Sequence, residues 1–111
     1  MKVLDLAEEL TRAKAISAQI AYRRVTEAHA FEAGVARFAP GDAADPEQVT
    51  HPEKDVLCYV MGGAGRLRAV GRETPLRPGL LCHIPAGTPH DFAATDEPLT
   101  LYYCLIRTRS S

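Results

Sequence analysis

The stretch Gly79-Leu80-Leu81-Cys82-His83-Ile84-Pro85-Ala86-Gly87-Thr88-Pro89-His90 joins a short apolar strand, a stiff corner and a histidine. Pro78-Gly79 turns the chain into the strand. Pro85 to Pro89 then forms a tight bend, and His90 opens the next extended segment. Side chains on a strand alternate, so His90 and Phe92 share one face and Asp91 takes the other. An imidazole on a rigid corner is a good mount for a ligand, because little freedom is left to lose on binding. His83 is out of phase with Cys82 and Ile84 and points outward if those two point in. A second histidine, His51, lies upstream in a polar stretch that also carries Glu47, Glu53 and Asp55.

The elements that must position these residues read as β. From Phe31 onward, short apolar runs alternate with turn residues, as in a sandwich or barrel. Gly34 to Ala39 ends at Pro40-Gly41, Val56 to Met61 at Gly62-Gly63, and Leu67 to Val70 at Gly71. Leu80 to Ile84 runs into the proline corner, and Leu99 to Ile106 closes the pattern. Before this, Asp5 can cap a short helix, with Val3, Leu6, Ala7 and Leu10 at helical spacing. The stretch Ala15 to Val25 is ambiguous: its alanines and the four-residue step from Ile16 to Ile20 favour helix, whereas Ile20, Tyr22 and Val25 suit a strand, which is the expected reading. Residues 42–50 form the longest polar loop. With no repeat, linker or low-complexity tract, one domain over 1–111 is expected. The runs Val56–Val60 and Leu101–Ile106 lack polar alternation, as strands covered on both faces do. In so small a protein the second cover is most easily another copy, so a homodimer is expected.

Composition removes several functions. The 111 residues carry 13 basic and 14 acidic side chains, a formal net charge of −1. That gives no field to attract a nucleic-acid backbone or an anionic membrane. The longest apolar run is eight residues, Leu99 to Ile106, far short of a membrane span. Acidic residues interrupt the apolar N-terminal stretch, which is unlike a secretory signal. Cys58, Cys82 and Cys104 form no CxxC pair and each sits in an apolar run. Buried, reduced thiols of a cytoplasmic protein are the expected reading.

The stretch 79–90 resembles the second motif of the cupin family, G-x5-P-x-G-x2-H-x3-N. It matches at Gly79, Pro85, Gly87 and His90 and departs at the end, where Ala94 replaces Asn. Upstream, His51, Asp55 and Gly62 fit H-x3-E-x6-G of the first motif, with Asp for Glu. Val49 stands where that motif has its first histidine, and strict spacing puts Ala43, not Gly41, at its opening glycine. The resemblance covers residues 31–106.

It implies an all-β fold, a double-stranded β-helix or jelly-roll barrel, preceded here by the short helix. It also implies a metal site inside the barrel, with His51, Asp55 and His90 as ligands carried over onto this chain. Two imidazoles and one carboxylate leave open positions on a divalent ion such as Fe, Mn, Ni or Zn. Glu47 and Glu53 are rival carboxylates. The plainer readings are a solvated surface charge for Asp55 and an exposed loop residue for His51. His29 reads as a turn residue, and Tyr59, Phe92 and Tyr103 as core filling or cavity lining.

The fold leaves the function open. A metal-binding cupin, acting as a non-haem oxygenase on a small organic molecule, is one reading. A non-catalytic module that binds or senses a small ligand through a degenerate metal site is another. A sugar isomerase or epimerase is a third, but Arg37, Arg66 and Arg68 form no arrangement that points to phosphate.

Overall fold

The computed structural model describes residues 1–40 and 49–108. Helix α1 (Leu6–Leu10) is followed by strands β1 (Lys14–Ala15), β2 (Ile20–Glu27), β3 (Phe31–Phe38), β4 (Lys54–Gly62) and β5 (Gly65–Ala69). Strands β6 (Arg72–Leu76), β7 (Leu81–Ile84), β8 (His90–Ala94) and β9 (Leu99–Arg107) complete the order. Among the described residues, every pairing of these strands is antiparallel. One sheet has the order β1-β2-β3-β9-β4-β7 and the other β6-β5-β8. The last strand thus lies between β3 and β4, a crossover that makes two sheets out of one meander.

The sheets meet through their apolar faces. Val60, Leu99 and Leu101 from the large sheet and Leu76 from the small one are fully buried together, with Leu67 and Phe92 against them. Phe38 and Phe92 bring their rings within 5.8 Å across the gap. A second cluster, Val56, Cys58 and Ile84, continues this core and takes in Cys82 and Tyr103. The three thiols are free. Burial pushes the Cys58 thiol up to about 12, so it packs as a small apolar group.

On β4 the inward residues are Val56, Cys58 and Val60, and the outward ones Asp55, Leu57 and Tyr59. Tyr59 is therefore exposed on the outer face, not in the cavity, whereas Phe92 and Tyr103 pack inward. The β4–β9 register shifts between Val60 and Gly62, as a bulge requires. Gly63 then turns the chain with φ at +82°, and a Cβ there would overlap the Pro98 carbonyl. No side chain fits that position.

The helix is short and capped as its sequence suggests, with the Glu8 N–H donating to Asp5 Oδ1 at 3.2 Å. It packs on the outer faces of β2 and β3. Arg23 on β2 fastens it by donating to Glu9 at 2.6 Å. This cover explains why Ala33 and Val35, on the outer side of β3, are as buried as the core.

Candidate functional site

The corner after β7 delivers His90 as the first residue of β8. His90 is buried and its backbone exchanges both hydrogen bonds with Val49, at 2.8 and 2.9 Å. The Gly87 N–H donates to the His51 carbonyl at 2.9 Å. The corner therefore holds the segment 49–51 in place, and the rings of His51 and His90 stand with centroids 5.7 Å apart. The structure brings these two predicted residues together.

Their protonation follows from their partners. His90 Nδ1 lies 2.9 Å from the Thr88 carbonyl oxygen, which can only accept. Nδ1 must carry the proton, so the neutral ring keeps its lone pair on Nε2. That nitrogen is then free to accept a hydrogen bond or to ligate. Burial, followed by the neighbouring His90 and Lys54, holds the His51 pKa below its usual value, while Glu32 opposes this. This favours the neutral form of the His51 imidazole.

Asp55 is not brought to them. It faces outward on β4, where Oδ2 lies 3.0 Å from His83 Nε2 and Oδ1 accepts the Ala86 N–H at 2.9 Å. His83 is indeed outward and mostly exposed. Glu53 is exposed, and its carbonyl serves Thr108. Glu47 lies outside the described residues. Among the described residues, no group of three His, Cys, Asp or Glu is arranged to hold a metal ion.

The bulge explains the misplacement of the carboxylate. Counting the six intervening motif positions back from Gly62 reaches Asp55, on the outward phase. Counting the same six back from Gly63, the glycine that makes the turn, reaches Val56, which is inward and buried. The inward place for a carboxylate on β4 is apolar. Val49, the direct partner of His90, is apolar as well and 49% exposed.

Sequence reasoning missed the charged groups on this inner face. Lys54 has the same phase as Val56 and donates to Glu32 at 2.9 Å. Arg24 reaches the same carboxylate at 3.4 Å. Together these cations hold the Glu32 carboxyl below its ordinary range, with the Lys54 hydrogen bond the largest cause. No local signal marks the pair, since residues 32 and 54 meet only through the sheet.

Residues 34–105 match the model of the cupin domain family, so the chain belongs to the cupins. No curated protein sequence matches it. Among solved structures, a Thermus thermophilus protein is 22% identical, with a TM-score of 0.77, covering 98% of this chain and 100% of the other. An uncharacterized conserved Klebsiella pneumoniae protein with a double-stranded β-helix domain is 16% identical, with a TM-score of 0.79 and coverages of 100% and 94%. A cupin-superfamily sugar phosphate isomerase from Silicibacter pomeroyi is 28% identical, with a TM-score of 0.68 and coverages of 81% and 60%. The expected family and jelly-roll fold are thereby established. Among the described residues, no helix is long and apolar enough to cross a membrane.

Proposed function

We propose that this cupin is a small-ligand-binding module in which His51 and His90 recognise a polar group of an organic molecule without a resident metal ion. The observation that carries this reading is the donor count. Catalytic zinc sites use three protein ligands, and non-haem iron sites two histidines and a carboxylate. The described residues supply two imidazoles, with apolar Val49 paired to His90 and apolar Val56 at the inward place on β4. The donor set of the described residues does not fit a resident metal. Two imidazoles at the edge of a buried apolar core instead suit a ligand with one hydrogen-bonding head and an apolar body. The free thiols agree with a cytoplasmic setting.

Elemental analysis of protein purified without a polyhistidine tag tests this. The expected result is far less than one metal per chain, with no tight uptake of Fe(II), Mn(II), Ni(II) or Zn(II) afterwards. Near one metal per chain overturns the reading.

A second reading, a metal-dependent oxygenase, is favoured by one feature. Metal-bound histidines typically donate their other ring N–H to a carbonyl or carboxylate. His90 does this with Thr88. The isomerase reading draws on the likeness to the Silicibacter pomeroyi protein. It lacks support at the site, where His90 has a carbonyl partner; the His83–Asp55 pair lies on the outer face.

A further inference from the structure

Lys54 and Arg107 stand directly opposite one another on β4 and β9 and line one cavity of about 80 Å³. Cross-strand neighbours on one face are close, and like charges placed there are destabilising. The cavity lies where the β2–β3 hairpin closes over the end of the large sheet, with Glu27, His29 and Glu32 also in its wall. Its two carboxylates are already engaged. Glu32 takes Lys54 at 2.9 Å and Arg24 at 3.4 Å, and Arg24 also reaches Glu27 at 3.4 Å. With Arg24, which lies outside the cavity wall, three cations share these two carboxylates. Among the described residues, Arg107 makes no ion pair.

The backbone that carries that side chain is set by the fold. The Arg107 N–H donates to the Ala30 carbonyl at 2.8 Å, which pins the end of β9 to the hairpin. The Lys54 ammonium is held by Glu32. Phe31 and Leu105 give the same cavity an apolar side. An ammonium and a guanidinium side by side, the latter without an ion pair among the described residues, next to apolar Phe31 and Leu105, suit an anion with a hydrocarbon end.

We propose that this cavity binds a short-chain organic monocarboxylate, its carboxylate on Arg107 and Lys54 and its carbon end against Phe31 and Leu105. Guanidinium and carboxylate match as a two-pronged, charge-assisted pair. The cavity is small, which favours a short carbon chain. The site excludes His51 and His90, so it stands or falls apart from the imidazole reading.

The test is an amide NMR titration of the ¹⁵N-labelled full chain in EDTA, with sodium acetate and sodium butyrate against sodium chloride at matched ionic strength. The expected result is saturable shifts at Phe31, Lys54, Leu105 and Arg107 with the carboxylates, at lower concentration than with chloride. Arg107→Gln should weaken this binding about tenfold or more, a loss of about 1.4 kcal/mol. Arg107→Lys should retain part of it. Arg107 is exposed, so both variants should keep the parent spectrum. Equal affinity in parent and Arg107→Gln overturns the proposal, as do shifts of the same size with chloride. Saturable shifts confined to Val49, His51 and His90 would also overturn it, while leaving the imidazole pair as the ligand site.

Discussion

Asp55 and His83 hold one another on the outer face of the large sheet, His83 Nε2 lying 3.0 Å from Asp55 Oδ2. The second carboxylate oxygen accepts the Ala86 N–H, so Asp55 ties β4 to the corner that carries His90. Its work is to position the corner. The His83 contact first, and then the Ala86 N–H, hold the Asp55 pKa below its ordinary value of 3.8. A depressed carboxylate pKa stabilises the fold above the unfolded value, and the contribution is lost as pH falls through the folded one. Asp55→Asn should therefore lower the urea midpoint at neutral pH and flatten its decline in acid. It should leave the response of His51 and His90 to added Zn(II) unchanged. A folded Asp55→Asn variant that has lost a parental metal response would return Asp55 to the site.

How far the sequence carries depends on the distance over which each feature is encoded. The proline corner is local: Pro85, Gly87 and His90 are closely spaced constraints, and the structure keeps their order and phase. The helix cap at Asp5 is local too. The site's carboxylate position is not, because one bulged residue near Gly62 inverts the phase of everything counted back from it. The sequence shows two adjacent glycines there but not which one turns the chain. The meeting of Glu32 with Lys54 is less legible still. It depends on β9 lying between β3 and β4, which no short window reveals.

The half-buried ring of His51 gives the fold a pH dependence of opposite origin to that of Asp55. Burial, then His90 and Lys54, set its pKa below the usual 6.5. As pH falls through 6.5, the unfolded chain takes up a proton that the folded ring still refuses. Stability therefore declines below that pH until the folded ring is protonated as well. Urea midpoints of the parent, followed from neutral pH into the acid range, should show this decline. His51→Gln should show a shallower one. Parallel curves for the two proteins would mean that His51 is not buried beside His90.

On the outer face, Tyr59 sits between Tyr102 on β9 and Leu81 on β7, its direct partners on either side. Tyr59 is 44% exposed and Leu81 66% exposed. A row of large apolar side chains across three strands is what monomers seldom leave open. We propose a second copy of the chain as its cover. A twofold contact would place the same residues against each other, so one charge is introduced twice. Light scattering at micromolar concentration should give twice the 12.1 kDa chain mass for the parent and the single mass for Leu81→Glu. The single mass for the parent would remove the dimer.

Val49 offers the sharpest test of the imidazole pair. It exchanges backbone hydrogen bonds with His90, and directly paired residues in an antiparallel ladder project to the same side. Val49 is also two residues from His51 on an extended segment, which again puts their side chains on one side. An imidazole at position 49 would therefore join the two already present. Three histidines complete the protein ligand set of a catalytic zinc site, which two do not. Val49 is half-exposed, so the larger ring costs little packing and can be solvated when no metal is bound. Val49→His should then bind Zn(II) at least about tenfold more tightly than the parent, which corresponds to about 1.4 kcal/mol. Calorimetric titration of the two apo proteins measures the difference directly. His90→Ala in the Val49→His background should abolish the gain while leaving the fold intact, because the new site needs all three rings. Unchanged zinc affinity in a folded Val49→His protein would mean that Val49 and His51 do not look into the same opening, and the imidazole pair would lose its claim to be the ligand site.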